Sequence, residues 1–260
     1  MSQASIVVVG SSNTDMIIRV ERIPRPGETI LGGAFVTAAG GKGANQAVGA
    51  ARAGGQVTFI ARVGQDMFGE QAVTGFIKDG INVDHVTRDK SNPSGVALIF
   101  VAKDGENSIG VAGGANSKLS PADVRKAKAA FAGAGVLVMQ LETPLDTVQA
   151  AANLAIKNGV SVILNPAPAQ PLPDKLLKQV SILTPNETEA ELLTGIAVID
   201  DAKERLCKAV GKDTATNGWL DVSVDPSEYK CKSVQLELLN KPPGWNFENG
   251  YWEKISIESM

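Results

Sequence analysis

Gly40-Gly41-Lys42-Gly43-Ala44-Asn45-Gln46-Ala47 decides how the chain is read. Three glycines in four residues cannot sit inside a strand or a helix without a conformational cost. The residues that follow Gly43 (Ala44, Ala47, Val48, Ala50, Ala51) are helix formers with a small apolar face. The stretch therefore predicts a glycine loop opening a helix. Such a loop lets backbone N–H groups approach a ligand, and the helix start adds a partial positive charge. Lys42 supplies a full charge, and the Asn45 amide both donates and accepts. A tightly packed glycine turn with a solvated lysine is the plainer alternative. Two phosphate-binding patterns are excluded. Lys42 is followed by glycine rather than by Ser or Thr, and the third glycine of a dinucleotide fingerprint is missing.

Outward from this loop the chain alternates strands and helices. Upstream, Ile6-Val7-Val8-Val9 reads as a buried parallel strand ending at Gly10. The polar run Ser11 to Asp15 follows it, at the place where open α/β sheets bind ligands. If the chain stays extended there, Asn13 and Asp15 point to the same side. Downstream come a strand at 57–63, a helix at 66–78 and a helix capped by Ser120 with Pro121 at its first position. A strand at 136–141 ends at Glu142, and a helix at 145–158 stops at Gly159. A strand at 160–164 ends at Asn165, and a strand at 181–184 runs into Asn186 and a helix ending at Gly195. Alternation of this length predicts an α/β fold, a parallel sheet with helices on both faces. Asn13, Asp15, Glu142, Asn165 and Asn186 all follow strands, so a parallel sheet brings them to one edge.

Two segment pairs break the alternation. Extended stretches at 16–20 and 29–37 flank the turn Pro24-Arg25-Pro26-Gly27-Glu28, and 96–101 and 107–111 flank Lys103-Asp104-Gly105-Glu106. No long helix separates the members of either pair, so each reads as an antiparallel hairpin. Together they predict a small protruding sheet that covers a site or pairs with a second subunit, since an uncovered edge invites association.

The net charge of −3 gives no support to nucleic-acid binding. No apolar run reaches the length of a membrane span, and Met1-Ser2-Gln3-Ala4-Ser5 carries no secretory pattern, so a cytoplasmic protein is expected. Cys207 and Cys231 have no metal-ligand spacing, and no zinc site is expected. His85, the single histidine, reads as a surface strand or loop residue.

From about Ile6 to Asp201 the chain resembles the ribokinases of the PfkB carbohydrate kinase family. The resemblance is carried by Gly10-Ser11-Ser12-Asn13-Thr14-Asp15, Pro26-Gly27-Glu28-Thr29, Gly40-Gly41-Lys42-Gly43-Ala44-Asn45-Gln46, Gly95-Val96-Ala97-Leu98-Ile99-Phe100, Met139-Gln140-Leu141-Glu142, Asn165-Pro166-Ala167-Pro168 and Thr184-Pro185-Asn186-Glu187-Thr188-Glu189. It implies ATP-dependent phosphorylation of ribose to ribose 5-phosphate, with ATP and magnesium as cofactors. By that resemblance Asn13, Asp15, Gly41, Lys42, Asn45 and Glu142 would bind the sugar. Asn186 would serve the ATP phosphates, and Glu189 the magnesium region through water. The hairpins, at about 14–37 and 95–112, would be the family's lid and its homodimer contact.

The resemblance divides the chain into a ribokinase-like α/β domain at 1–201 and an unmatched tail at 202–260. The family's Gly-Ala-Gly-Asp motif, which supplies the aspartate base, is not recognisable after Asp201, and neither are its monovalent-cation loops. Gly211-Lys212-Asp213 and Gly218-Trp219-Leu220-Asp221 lack the form. All three tryptophans, both tyrosines and both cysteines lie beyond residue 201. The expectation is that the C-terminal part of the fold is missing or replaced. The alternative function is a catalytically inactive, truncated or frame-shifted chain that keeps sugar binding and lid dimerisation.

Overall fold

A computed structural model describes residues 5–195 of the chain. The expectations for 202–260, including the absent aspartate base, lie outside the described residues.

The β-branched run at the start forms β1 (Ser5–Val9) at the heart of a six-stranded sheet. The others are β4 (Gln56–Gly64), β5 (Val86–Asp89), β8 (Val136–Met139), β9 (Ser161–Leu164) and β10 (Ile182–Leu183). Their order is β10-β9-β8-β1-β4-β5, and every pairing is parallel. Alternation along β1 feeds two cores. Val7 and Val9 face one side and pack with Leu137 and Met139. Two helices cover that side, α3 (Pro121–Lys126) through Val124 and α4 (Leu145–Lys157) through Val148, Ala151 and Ala155. Leu176 of the short α5 (Asp174–Leu177) joins the same cluster. Val8 faces the other side with Phe59. There α1 (Lys42–Arg52) contributes Ala44 and Ala47, and α2 (Met67–Lys78) contributes Val73 and Phe76. Phe59 and Phe76 meet edge to face, centroids 5.2 Å apart. Small alanines on α1 let that helix lie close on the sheet.

Local chemistry sets the helix ends as the sequence predicts. Asp66 caps α2 by accepting from Gly69 N at 2.9 Å. Ser120 and Asp123 close a capping box on α3, with Pro121 in the first turn. The last described helix, α6 (Glu187–Thr194), ends at Gly195 in the left-handed region at φ 69°.

The two hairpins form a separate four-stranded sheet. Its strands are β2 (Asn13–Arg19), β3 (Phe35–Gly40), β6 (Gly95–Val101) and β7 (Asn107–Ala112), in the order β3-β2-β6-β7. Each hairpin is antiparallel, and β2 joins β6 in a parallel seam. Both faces carry exposed apolar side chains, among them Phe35, Leu98, Ile109 and Val111.

Several boundaries differ from expectation. The partner of β2 begins at Phe35, not at Thr29, and residues 20–34 form no strand. Pro24 and Pro26 cannot donate to a ladder, and Gly32-Gly33 has no side chain to pack. β8 stops at Met139, and β10 has only two residues. β5 carries one large apolar residue in four, too little period to be read from sequence. The ion pair of its Asp89 with Arg62 on β4, at 2.8 Å, helps hold it in place. His85 stands half-buried just before this strand. Among the described residues no helix is long and apolar enough to cross a membrane.

Candidate functional site

The end of β1 and the start of α1 touch backbone to backbone. A Cβ on Gly10 would lie 2.1 Å from Gln140 Oε1 and 2.8 Å from Gly43 Cα. One on Gly43 would lie 2.6 Å from Ser11 N. Gly41, at φ 91°, makes the turn into the helix. The glycines of the loop let the two backbones approach this closely.

That approach determines what α1 offers a ligand. Its first N–H groups are already taken: Lys42 N donates to Glu142 Oε2 at 3.0 Å, Gly43 N to Ser11 Oγ at 3.3 Å, and Ala44 N to Ser11 O at 2.8 Å. Ser11 Oγ in turn donates to Glu142 Oε2 at 2.5 Å. A carboxylate from the end of β8, a hundred positions along the chain, thus caps the helix and offsets its dipole. The expectation of free backbone donors at this helix start is corrected accordingly. What the first turn of α1 leaves for a ligand is side-chain chemistry. The Lys42 ammonium and the exposed Asn45 amide make no hydrogen bond or ion pair within the described residues, and Glu142 keeps its second oxygen.

Asn13 and Asp15 lie in β2 rather than in a loop, so they share one face of the small sheet as an extended chain requires. Asp15 packs on Gly40, where a Cβ would meet its Oδ1 at 2.2 Å. Burial raises the Asp15 pKa, and the nearby charge of Glu142 raises it further. Two carboxylates that feel one another, with an ammonium and two amides around them, make a site that hydroxyl donors would relieve. Buried polar atoms mark the same sheet edge. Gln140 Oε1, Thr143 Oγ1 and Asn165 Oδ1, all just beyond β8 or β9, have no hydrogen-bond partner among the described residues.

The sequence-predicted residues fall into two groups. Asn13, Asp15, Gly41, Lys42, Asn45 and Glu142 gather where β1, β2, β8 and α1 meet. Asn186 and Glu189 form their own group at the start of α6. Asn186 Oδ1 accepts from Glu189 N at 2.8 Å, and Glu189 Oε2 accepts from Asn186 N at 2.9 Å. This is a capping box, and Glu189 is buried within it. No cluster of three or more His, Cys, Asp or Glu side chains among the described residues could cage a metal ion. Three residues packed at the site were not assigned roles from sequence: Ser11, Asn116 and Gln140, whose Nε2 donates to Gln46 Oε1. Ser11 and Gln140 stood inside the quoted motifs. The Gly113-Gly114 pair before Asn116 was the available signal for the third.

The profile described as pfkB family carbohydrate kinase matches residues 3–216. A ribokinase from Haemophilus influenzae is 50% identical over 197 residues, which cover 76% of this chain and 64% of its own. A mouse ribokinase is 38% identical and aligns with 99% of this chain and 85% of its own, running past residue 201. A structure described as Arabidopsis thaliana ribokinase complexed with ribose and ATP superposes with a TM-score of 0.67 at 37% identity, covering 75% of this chain and 64% of the other. The chain spans less than two thirds of the length of the Haemophilus relative. A profile match over most of the chain, which includes every strand, glycine turn and carboxylate of the site, places this protein in the pfkB family of carbohydrate kinases.

Proposed function

We propose that this chain phosphorylates ribose with ATP, and that its acceptor site is the junction of β1, β2, β8 and α1. The observation that carries the reading is the Glu142 carboxylate, tied to Ser11 Oγ and Lys42 N, beside the half-buried Asp15. Fixed carboxylates and amides suit a polyol, whose hydroxyls each donate and accept. A site built this way rejects analogues that leave its polar groups unpaired. Asp15 and Glu142 accept from sugar hydroxyls, while Lys42, Asn45 and Asn13 donate. The ribose complex of the Arabidopsis relative and the curated ribokinases support ribose as the acceptor.

ATP supplies the phosphoryl group. The described residues offer no magnesium cage, so the metal would be held mainly by phosphate oxygens and water, with Glu189 as the nearby carboxylate and Asn186 beside the phosphates. The exposed apolar side chains of the small sheet support a homodimer formed through it, and a cytoplasmic location follows from the ribokinase reading. The comparisons give the alternative, an inactive sugar-binding chain, no support over the kinase.

The test is ribose-dependent release of ADP by the full chain, run beside calorimetry with ribose. Turnover that is lost in Asp15→Ala together with ribose binding supports the proposal. Ribose binding without turnover overturns the kinase reading and leaves the sugar-binding chain. Unchanged ribose affinity in a folded Asp15→Ala variant overturns the acceptor site.

A further inference from the structure

Asn13 is oriented by a side chain from beyond the small sheet. Asn116 lies in the 3-10 turn Gly114–Lys118 that follows β7 and is 2% exposed. Its Oδ1 accepts from Ser12 N at 2.9 Å. Its Nδ2 donates to Ser12 O at 3.1 Å and to Asn13 Oδ1 at 2.7 Å. The two ends of an amide have the same shape, so partners must decide which is which. Here they do. A backbone N–H only donates, so the oxygen of Asn116 faces Ser12 N. A backbone carbonyl only accepts, so the nitrogen faces Ser12 O and, with it, Asn13. The end of Asn13 turned toward that nitrogen must therefore be its oxygen. The NH2 group of Asn13 is left over, and it meets no acceptor among the described residues.

The surroundings hold this polarity in place. A Cβ on Gly95 would lie 2.1 Å from Asn13 Oδ1 and 2.3 Å from Asn116 Nδ2, so only glycine fits behind the pair. The turn bearing Asn116 is pinned through Ala115 N, which donates to Pro93 O at 2.7 Å.

We propose that Asn116 is a positioning residue that fixes the hydrogen-bond polarity of the acceptor site. It commits Asn13 to donating, beside the accepting carboxylate of Asp15 two positions along the same strand. The site then recognises an oxygen that accepts from Asn13 next to a hydroxyl that donates to Asp15. This rests on the proposed sugar-binding role of Asn13.

Two measurements on the full chain separate the inference from that reading. The first needs no sugar: solvent exchange of the side-chain NH2 groups by 15N NMR. Asn13 is 8% exposed and Asn116 2%, and among the described residues only the Asn116 NH2 has acceptors, so the NH2 of Asn13 exchanges faster than that of Asn116 in the native chain. In Asn116→Asp, which can only accept, Asn13 must turn its NH2 inward, and its exchange slows. An Asn13 NH2 as protected as that of Asn116 in the native chain overturns the inference, even if the variant fails to fold. The second is ribose affinity by calorimetry in a double-mutant cycle. Asn116→Asp weakens binding by about tenfold or more, because the cleft now meets an acceptor where it needs a donor. In an Asn13→Ala background the same change alters affinity by less than about twofold. Independent, multiplying losses would mean that Asn116 merely supports the fold, and overturn the proposal. If the native chain binds no ribose, the acceptor-site reading fails, and the exchange rates still decide the polarity.

Discussion

Replacing glycine by alanine at two positions of α1 should move stability in opposite directions. At Gly43 the new Cβ would lie 2.6 Å from Ser11 N and 2.7 Å from two Gly10 atoms, all of them backbone. Real Cβ contacts essentially never fall below 3.0 Å, so the helix start and the end of β1 must part by about 0.4 Å or more. Two hydrogen bonds cross that junction, from Gly43 N and Ala44 N to Ser11, and a third, from Lys42 N to Glu142 beyond β8, lies beside it. At about 1 kcal/mol net each, weakening them together costs about 2–3 kcal/mol, the range typical of overpacked sites. At Gly49, in the same helix, a Cβ meets nothing within 4 Å, and alanine should gain about 1 kcal/mol from helix propensity. For a domain of this size, about 2–4 °C accompanies each kcal/mol, so the melting temperatures of the two variants should differ by about 6 °C or more. The assay is thermal unfolding followed by circular dichroism, with urea midpoints as a check. Gly43→Ala should also weaken ribose binding, because Glu142 loses its helix donor. A Gly43→Ala variant as stable as Gly49→Ala would refute the close-contact reasoning.

Other perturbations test the remaining features. Burial raises the Asp15 pKa, so its ionisation opposes folding. Asp15→Asn should therefore raise the melting temperature at neutral pH while abolishing ribose binding, and the thermal gain should vanish as pH falls below the ordinary aspartate value of 3.8. Ribose binding by the native chain should likewise fade at a higher pH than an ordinary aspartate would impose, as titration calorimetry can show. Asn186→Asp keeps a good helix cap but sets a negative charge beside the proposed phosphate position. Its melting temperature should match the native chain while KM for ATP rises, whereas Asn186→Ala should also cost about 1 kcal/mol in stability. Arg62 bridges the buried Asp89 and Asp123 at 2.8 and 3.1 Å. Arg62→Met should cost about 3 kcal/mol at neutral pH by leaving those carboxylates without a counter-charge. Hydrogen bonds from Arg62 and from the Ser91 and Asn92 backbones hold Asp89 far below its usual pKa, so native stability drops in acid and the deficit of the variant should shrink there.

The sequence made the parallel core plain because its signals are local. Val7-Val8-Val9 is apolar on both faces, as a strand between two helical layers must be, and Asp66, Ser120 and Gly195 mark helix ends within one turn of themselves. The residues of the candidate site were named by residue type and by motif, and six of them lie together in the structure. The wiring of the site was not legible, because the partners are far apart: nothing near Glu142 announces that it caps a helix beginning at Lys42, and nothing near Asn13 announces Asn116. The glycines misled in one respect. Their number suggests room for a ligand, yet at Gly10 and Gly43 they remove side chains so that two backbones can touch. The stretch from Thr29 to Ala34 was also misjudged, since it was read as the start of an extended segment that the neighbouring prolines and the Gly32-Gly33 pair do not support.

The small sheet enters and leaves the main body at four places, and each is a glycine or adjoins one: Gly10 before β2, Gly41 after β3, Gly95 at the start of β6 and Gly113-Gly114 after β7. These crossings also carry the groups that hold the site, with Asn13, Lys42 and Asn116 all within three residues of one of them. Crossings and a candidate site built from the same residues cannot be adjusted independently. Any tilt of the sheet changes the spacing of the donors and acceptors at its foot, and any molecule that fixes that spacing restrains the tilt. By reciprocity the two effects have equal size, so a surface that clamps the outer strands would tighten binding at the candidate site by the same factor as the bound molecule tightens the clamp.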